Sequence, residues 1–348
     1  MEKKITHRLS ACTLAILACT AAPATLAQIE IGEGFAATGQ FDAGYRFTDA
    51  DADNTEQTQT FSTNEFQIDL DYTHADTGLY AHLELEGRTN DSSDNQFRTE
   101  AAFIGRNFDN GAGFKMGKFI SPSGYEGAEP WDRFSRTTAF GGIFAYLQNG
   151  VAGYYQSGIF NVYGAFVDGT WTGDNDITDP GVEVQFGITT DESVTRLTMA
   201  YEKYDSEDSD DDGVADTLEQ DRTMVNLWSQ YTLGDLTVAG EYNYLTDMNR
   251  DLNGPGVAWD GQAYMVFAKY SLSPAWKLGV RYSEAEYEDI DGNTISDSSE
   301  VTVTPRYQVL SGDVNWDFRA DFRFQDGDNE IAGVQDGFLF ELGTTLKF

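Results

Sequence analysis

Apolar and polar residues alternate with a period of two along most of this chain. In Phe338 to Phe348, Phe338, Phe340, Leu342, Leu346 and Phe348 fall on one face, and Leu339, Glu341, Gly343, Thr345 and Lys347 fall on the other. Val314 to Gln325 is cleaner still: Val314, Trp316, Phe318, Ala320, Phe322 and Phe324 alternate with Asn315, Asp317, Arg319, Asp321, Arg323 and Gln325. Successive side chains of an extended strand point to opposite sides, so this pattern predicts strands with one apolar and one polar face. About sixteen segments read this way: 35–47, 66–72, 79–88, 97–108, 113–120, 150–157, 160–168, 182–189, 194–204, 223–233, 236–245, 262–272, 276–287, 301–310, 314–325 and 337–348. In Met224 to Tyr231 either half-set serves as the apolar face, so the phase stays open there.

The connections sharpen the picture, because short and long ones alternate. The short ones carry turn residues, as in Asp109-Asn110-Gly111, Ser157-Gly158, Leu233-Gly234-Asp235, Ser273-Pro274-Ala275 and Ser311-Gly312-Asp313. The long ones cover 48–63, 89–96, 121–149, 169–181, 205–222, 246–261, 288–300 and 326–336. A sandwich has no reason to keep every second connection long, whereas an outer-membrane barrel has tight periplasmic turns and longer extracellular loops. The fold class expected is therefore all-β: a transmembrane antiparallel up-and-down β-barrel of about 16 strands, within a range of about 14–18. The aromatic tip of the last strand also resembles the C-terminal strand of bacterial outer-membrane barrels. That resemblance implies that Phe348 is part of the signal read by the barrel-insertion machinery.

At the other end, Lys3, Lys4 and Arg8 precede an apolar run from Leu9 to Ala22 and a small-residue stop at Ala27. This pattern predicts a cleaved secretory signal peptide over 1–27 and a single barrel domain over 28–348. A lipoprotein reading of Ile16-Leu17-Ala18-Cys19, which would leave Cys19 lipid-modified, competes with it. Cys12 and Cys19 both lie in the leader, so the rest of the chain has no thiol chemistry. Losing the leader takes the net charge from −36 to −38, which excludes a nucleic-acid partner. The 14 % aromatic content excludes a disordered acidic chain. Mean hydropathy is −0.43 and no apolar run long enough for a spanning helix follows the leader. Barrel strands are only half apolar, so averages of this kind miss them.

About sixteen strands enclose a lumen wide enough for water. The predicted inner face is charged. Candidate lining residues are Arg46, Arg98, Arg106, Arg306, Arg319 and Arg323, with Asp69, Asp71, Glu84, Glu86, Asp317 and Asp321. Two readings compete for each: a wall of cross-strand ion pairs that satisfy one another, or rings of charge that set a field across a narrow pore.

The stretch Ser121 to Asn149 differs from the other long connections, being rich in aromatics rather than plainly acidic. With Gly117-Lys118-Phe119, Gly124-Tyr125-Glu126 and Phe134-Ser135-Arg136, the chain resembles the OmpL-like β-barrel porin family. The resemblance spans most of the chain in architecture and this central stretch in motif. It implies an outer-membrane porin, a passive water-filled channel for small hydrophilic solutes or ions. By analogy with general porins, in which a loop here folds inward, Glu126, Glu129, Asp132, Arg133 and Arg136 are candidate constriction residues. The bland alternative is that the two arginines pin the loop to wall carboxylates.

Asp208, Asp210, Asp212, the Val214 carbonyl, Asp216 and Glu219 stand at the ligand positions of a twelve-residue calcium loop, with Gly213 at the turn. Strands flank it in place of the usual helices. A solvated acidic loop generates the same spacing, so calcium in an extracellular loop is the one cofactor considered, and none is required. A hydrolase is disfavoured: outside the leader only His74 and His82 are available, with no serine nucleophile motif beside either. A surface adhesin or structural barrel with cation-binding acidic loops is the remaining rival. Expected partners are outer-membrane lipid and lipopolysaccharide, the insertion machinery at Phe348, small hydrophilic solutes and, as in many porins, two further copies in a homotrimer.

Overall fold

A computed structural model describes residues 29–50, 58–88, 96–125, 134, 147–169, 180–204, 220–250, 257–289, 292–310, 314–327 and 337–348. The leader read over 1–27 lies outside them. The strands are β1 (Ile29–Gly32), β2 (Phe35–Ala50), β3 (Thr58–Thr73), β4 (Leu79–Arg88), β5 (Gln96–Asn107), β6 (Ala112–Ile120), β7 (Leu147–Ser157), β8 (Phe160–Val167) and β9 (Gly181–Thr189). They continue with β10 (Ser193–Tyr204), β11 (Gln220–Leu233), β12 (Leu236–Arg250), β13 (Val257–Ser271), β14 (Trp276–Asp289), β15 (Thr294–Leu310), β16 (Asn315–Asp326) and β17 (Gly337–Lys347). From β2 onward each strand pairs antiparallel with the next, and β17 pairs back onto β2 from Gly337↔Ala50 to Lys347↔Gln40. Sixteen strands thus close into one barrel. Closure gives every strand a neighbour on both sides, which is what hydrocarbon demands of backbone donors and acceptors.

The two faces differ in chemistry. Val151, Phe160, Val162, Phe166, Val182, Phe186, Ile188, Val266 and Leu342 are exposed on the outside. The inner face holds Gln40, Asp42, Glu86, Glu183, Asn226, Arg281, Arg319 and Asp321, all buried. Aromatic pairs stand near both ends of the outer wall: Phe35–Tyr72 and Trp276–Tyr307 toward the short turns, Phe324–Phe338 and Tyr264–Tyr282 toward the long connections. Such belts mark the two membrane interfaces of a barrel. The open phase of β11 resolves with Met224, Asn226 and Trp228 inside and Leu227 and Tyr231 outside.

The closing seam is built around the chain's last residue. Gly39 and Phe348 exchange two backbone hydrogen bonds, of 2.7 and 2.9 Å. The Phe348 ring lies directly over Gly39, in the space a Cβ would need, so an aromatic covers a glycine that packs nothing itself. Beyond this pair β17 has ended, and β1 takes over the same edge of β2 through Ile29↔Ala37. Gly39→Val puts a branched side chain into the ring. It is expected to destabilise the barrel by about 1–3 kcal/mol, read as a lower temperature for loss of the folded band on an unboiled gel.

Three features differ from the sequence reading. Short β1 was not anticipated, because four residues are too few to display a period. β3 and β15 begin earlier than expected, at Thr58 and Thr294. Their extra residues, TQTFSTNE and TISDSSE, are mostly polar, with Phe61 and Ile295 the only large apolar side chains in them. Arg106, expected in the lining, points outward. The β4–β5 ladder shifts register between Glu84 and Leu85, so Arg98 and Glu100 face inward while Ile104, 57 % exposed, and Arg106 face outward. One inserted residue reverses every side chain that follows it. Arg106 Nε donates to the Thr77 carbonyl at 3.0 Å, and its guanidinium lies 5.0 Å from the Phe108 ring centre.

Candidate functional site

The inner wall is unevenly charged. On β3–β5, Asp69 stands opposite Glu84, Asp71 opposite His82, and Gln67 opposite Glu86, which faces Arg98. Residues paired across a ladder share a face, so these side chains form one inward patch. Arg98 holds two of its carboxylates, Glu86 at 3.0 Å and Glu100 at 2.8 Å. Asp69 accepts from Thr38 Oγ1 at 3.0 Å and from Gln67 Nε2 at 2.6 Å. His82 lies 2.9 Å from Asp71 and stacks on Phe103 with ring centres 4.9 Å apart.

The opposite sign gathers on β13–β16. Lys277 stands directly opposite Arg306, and Arg306 opposite Arg319. Like charges facing across a ladder repel, and each arginine is drawn toward an acid. Arg306 Nη2 contacts Asp317 at 2.8 Å, and Arg319 Nη2 contacts Asp42 at 2.8 Å with both side chains fully buried. Thr345 also donates to Asp42, at 2.9 Å. Glu300 lies between two arginines: Arg281 Nη2 at 2.6 Å on one oxygen and the Arg323 guanidinium on the other. Arg46 reaches Glu341 at 3.2 Å, and Thr304 donates to Asp321 at 2.5 Å.

The connection between β6 and β7 enters the barrel. Ser121 Oγ donates to Glu183 of β9 at 2.6 Å, and Gly124 N–H donates to Asn226 Oδ1 of β11 at 3.1 Å. Tyr125 N–H donates to Glu241 of β12 at 3.1 Å, while its hydroxyl donates to Gln230 at 3.0 Å. Tyr125 packs against Trp228 and Phe267. Phe134 lies 5.5 Å from Phe267 and 5.9 Å from the Lys269 and Arg306 cations, with its ring where a Cβ of Gly279 would sit. The described residues of this connection, 121–125 and Phe134, thus lie against the inner wall between β9 and β14.

Arg46, Arg98, Arg306, Arg319, Arg323, Asp69, Asp71, Glu84, Glu86, Asp317 and Asp321 all face inward. Most are locked into the pairs above rather than bared to the lumen, with Arg46 and Arg98 the more open ones. Glu126, Glu129, Asp132, Arg133 and Arg136 lie outside the described residues, as does the whole 208–219 loop. Sequence reasoning passed over Glu300, Arg222 and Lys115. Glu300 and Arg222 fell in stretches taken for loops, although Ser296, Ser298, Glu300, Thr302 and Thr304 already continue the polar period. Lys115 sits among inward rings, 4.3 Å from Phe119 and 5.5 Å from Tyr163, between two glycines that hide the alternation.

A family model described as "Putative beta-barrel porin-2, OmpL-like" matches residues 34–348. Among solved structures, Salmonella typhi OmpF in complex with daunomycin superposes with a TM-score of 0.67 at 15% identity, covering 92% of this chain and 100% of that one. An anion-selective porin from Comamonas acidovorans gives 0.65 at 14% identity, covering 90% and 99%. The outer membrane channel DcaP of Acinetobacter baumannii gives 0.65 at 12% identity, covering 93% and 100%. At these identities the likeness carries the fold. No curated protein matches the chain in sequence.

Proposed function

Because the chain belongs to the OmpL-like β-barrel porin family and is a channel of the bacterial outer membrane, we propose that it passes small hydrophilic solutes and ions passively, through a lumen narrowed by the β6–β7 connection. The observation that carries this reading is where that connection is held: Tyr125 and Phe134 both sit inside the barrel on Phe267 of β13, while Ser121 is bonded to Glu183 of β9. Glu126, Glu129, Asp132 and Arg133 lie between those two anchors in sequence and are the proposed constriction residues, with Arg136 just beyond. Short turns face the periplasm and long connections the outside. No catalytic centre is needed for such transport.

Selectivity follows from two opposed fields. The long connections carry most of the acid (DSEDSDDDGVADTLEQD, QDGDNE) and concentrate cations within a Debye length of the mouth, about 8 Å at physiological salt. Deeper in, Lys269, Lys277 and Arg306 favour anions. The mouth dominates at low salt, and calcium held by the 208–219 loop weakens it.

A homotrimer is the proposed assembly. β6, β8 and β9 are the shortest barrel strands, of 8 or 9 residues. The neighbouring outer face of β7–β9 combines exposed Val151, Val162, Phe166 and Val182 with the facing pair Gly153 and Gly164. A low, flat, apolar wall without charge suits packing against another barrel.

Planar-bilayer recording of refolded protein under a salt gradient tests the reading. The expected result is stepwise conductance, in groups of three for a trimer. The reversal potential should be cation-selective at low salt and fall toward zero as salt rises or calcium is added. A folded protein that carries no current overturns the channel reading.

A further inference from the structure

One cluster on the inner wall has more negative charge than the wall explains. Asp69, Asp71 and Glu84 converge on His82, and Arg98 on the adjoining strand β5 is engaged by Glu86 and Glu100. An ionised carboxylate can only accept hydrogen bonds, so the 2.9 Å contact places a proton on Nδ1, donated to Asp71. Nε2 then faces the other way, 3.6 Å from Glu84 Oε2, and two electron-rich atoms at that spacing call for a proton or a metal ion between them. Stacking on Phe103 fixes the ring plane. Glu84 is 4 % exposed, and its other oxygen, Oε1, is buried without a hydrogen-bond partner. An anionic oxygen in that condition is costly unless a cation accepts it.

We propose that Asp69, His82 and Glu84 bind a divalent transition-metal ion of the zinc class on the lumen wall, with Asp71 as the positioning residue behind the histidine. Their ligand atoms lie within 4.8 Å of one another. Bonds of about 2.1 Å to one ion set neighbouring ligands about 3.4 Å apart, so the His82–Glu84 edge is nearly in place and Asp69 needs a small side-chain adjustment. Asp69 is itself oriented by Thr38 and Gln67, and Asp71–His82 is the carboxylate–imidazole pairing that supports metal-bound histidines. Three protein ligands leave a position for water, facing the lumen through the partly open His82 and Asp71. An imidazole ligand separates this site from an acidic calcium loop, since hard cations take oxygen and gain nothing from nitrogen. The ladder places all four residues on adjacent strands, Asp69 and Asp71 on β3 opposite Glu84 and His82 on β4. The site is therefore as rigid as the barrel and needs no loop to form.

Isothermal titration of zinc into the detergent-solubilised full barrel, with calcium and magnesium in excess to occupy the acidic loops, tests the assignment. The expected result is one zinc per chain. His82→Asn should weaken it at least about tenfold, and Asp71→Asn should weaken it by about 10–100-fold through loss of ligand support. His74→Asn, in the β3–β4 turn, should leave it unchanged. Cobalt should give visible d–d absorption that is lost in His82→Asn. Glu84→Gln provides a second ligand variant should His82→Asn fail to fold, and the folded gel band checks each. No zinc uptake, or uptake indifferent to His82 and Glu84, would mean an imidazolium ion-paired to the wall and would overturn the site. Binding is read without a bilayer, so this outcome is independent of whether the barrel conducts.

Discussion

Glu300→Ala is expected to destabilise the folded barrel by about 3–5 kcal/mol, the cost of removing one partner from a buried charge pair. The size follows from what surrounds it. Arg281 is 1 % exposed and shares Glu300 with Arg323 from the far side, so β14, β15 and β16 meet at a single carboxylate. Its loss leaves two guanidinium groups facing each other across a low-dielectric wall, with Thr302 donating to nothing where it now donates at 2.6 Å. Glu300→Gln keeps the shape and one acceptor oxygen, and should fall between wild type and Ala. Denaturant unfolding in detergent, followed by tryptophan fluorescence, measures all three. If Glu300→Ala unfolds at the wild-type midpoint, water already screens the cluster and the wall does not depend on it.

The same cluster marks how far the sequence was legible. The sixteen barrel strands could be read because one face meets hydrocarbon and the other water, and that contrast writes a period of two into every membrane-spanning segment. Where the contrast ends, so does the reading. Glu300 was missed because TISDSSE has a single apolar residue, Ile295, and so too little alternation to read as a strand, although the strand continues through it. Arg106 was placed on the wrong face because a bulge inserts one residue opposite Glu84 and Leu85, and nothing in the alternation of QFRTEAAFIGRN betrays it. Arg319 was visible as an inward charge, and Asp42 alternates with apolar neighbours in the same way. Their partnership across β17 was not, since it depends on a closure that brings the second strand beside the last. The Asp69–His82–Glu84 grouping needed the β3–β4 register, which sequence distance does not supply.

Replacing residues 122–146 with a short Gly-Ser connection is expected to raise single-channel conductance severalfold and to shift the reversal potential toward anions. Two observations set these directions. Tyr125 and Phe134 of this segment sit inside the lumen, so its removal is expected to widen the path. The candidate constriction residues carry three carboxylates against two arginines, so deletion removes net negative charge and leaves Lys269, Lys277 and Arg306 facing the lumen. A smaller perturbation isolates the anchor. The Phe134 ring occupies the space above Gly279 that a Cβ would fill, and it forms cation–π contacts with Lys269 and Arg306, worth about 0.5–2 kcal/mol each. Phe134→Ala empties the seat and Gly279→Val blocks it, without a residue in common. Both should therefore produce the same intermediate conductance, with larger current fluctuations than wild type, because the segment loses the same hold on the wall. Unchanged conductance in the shortened variant would place the narrowest point elsewhere. A change in Phe134→Ala alone would mean that the ring acts by filling the lumen rather than by tethering the segment to β14.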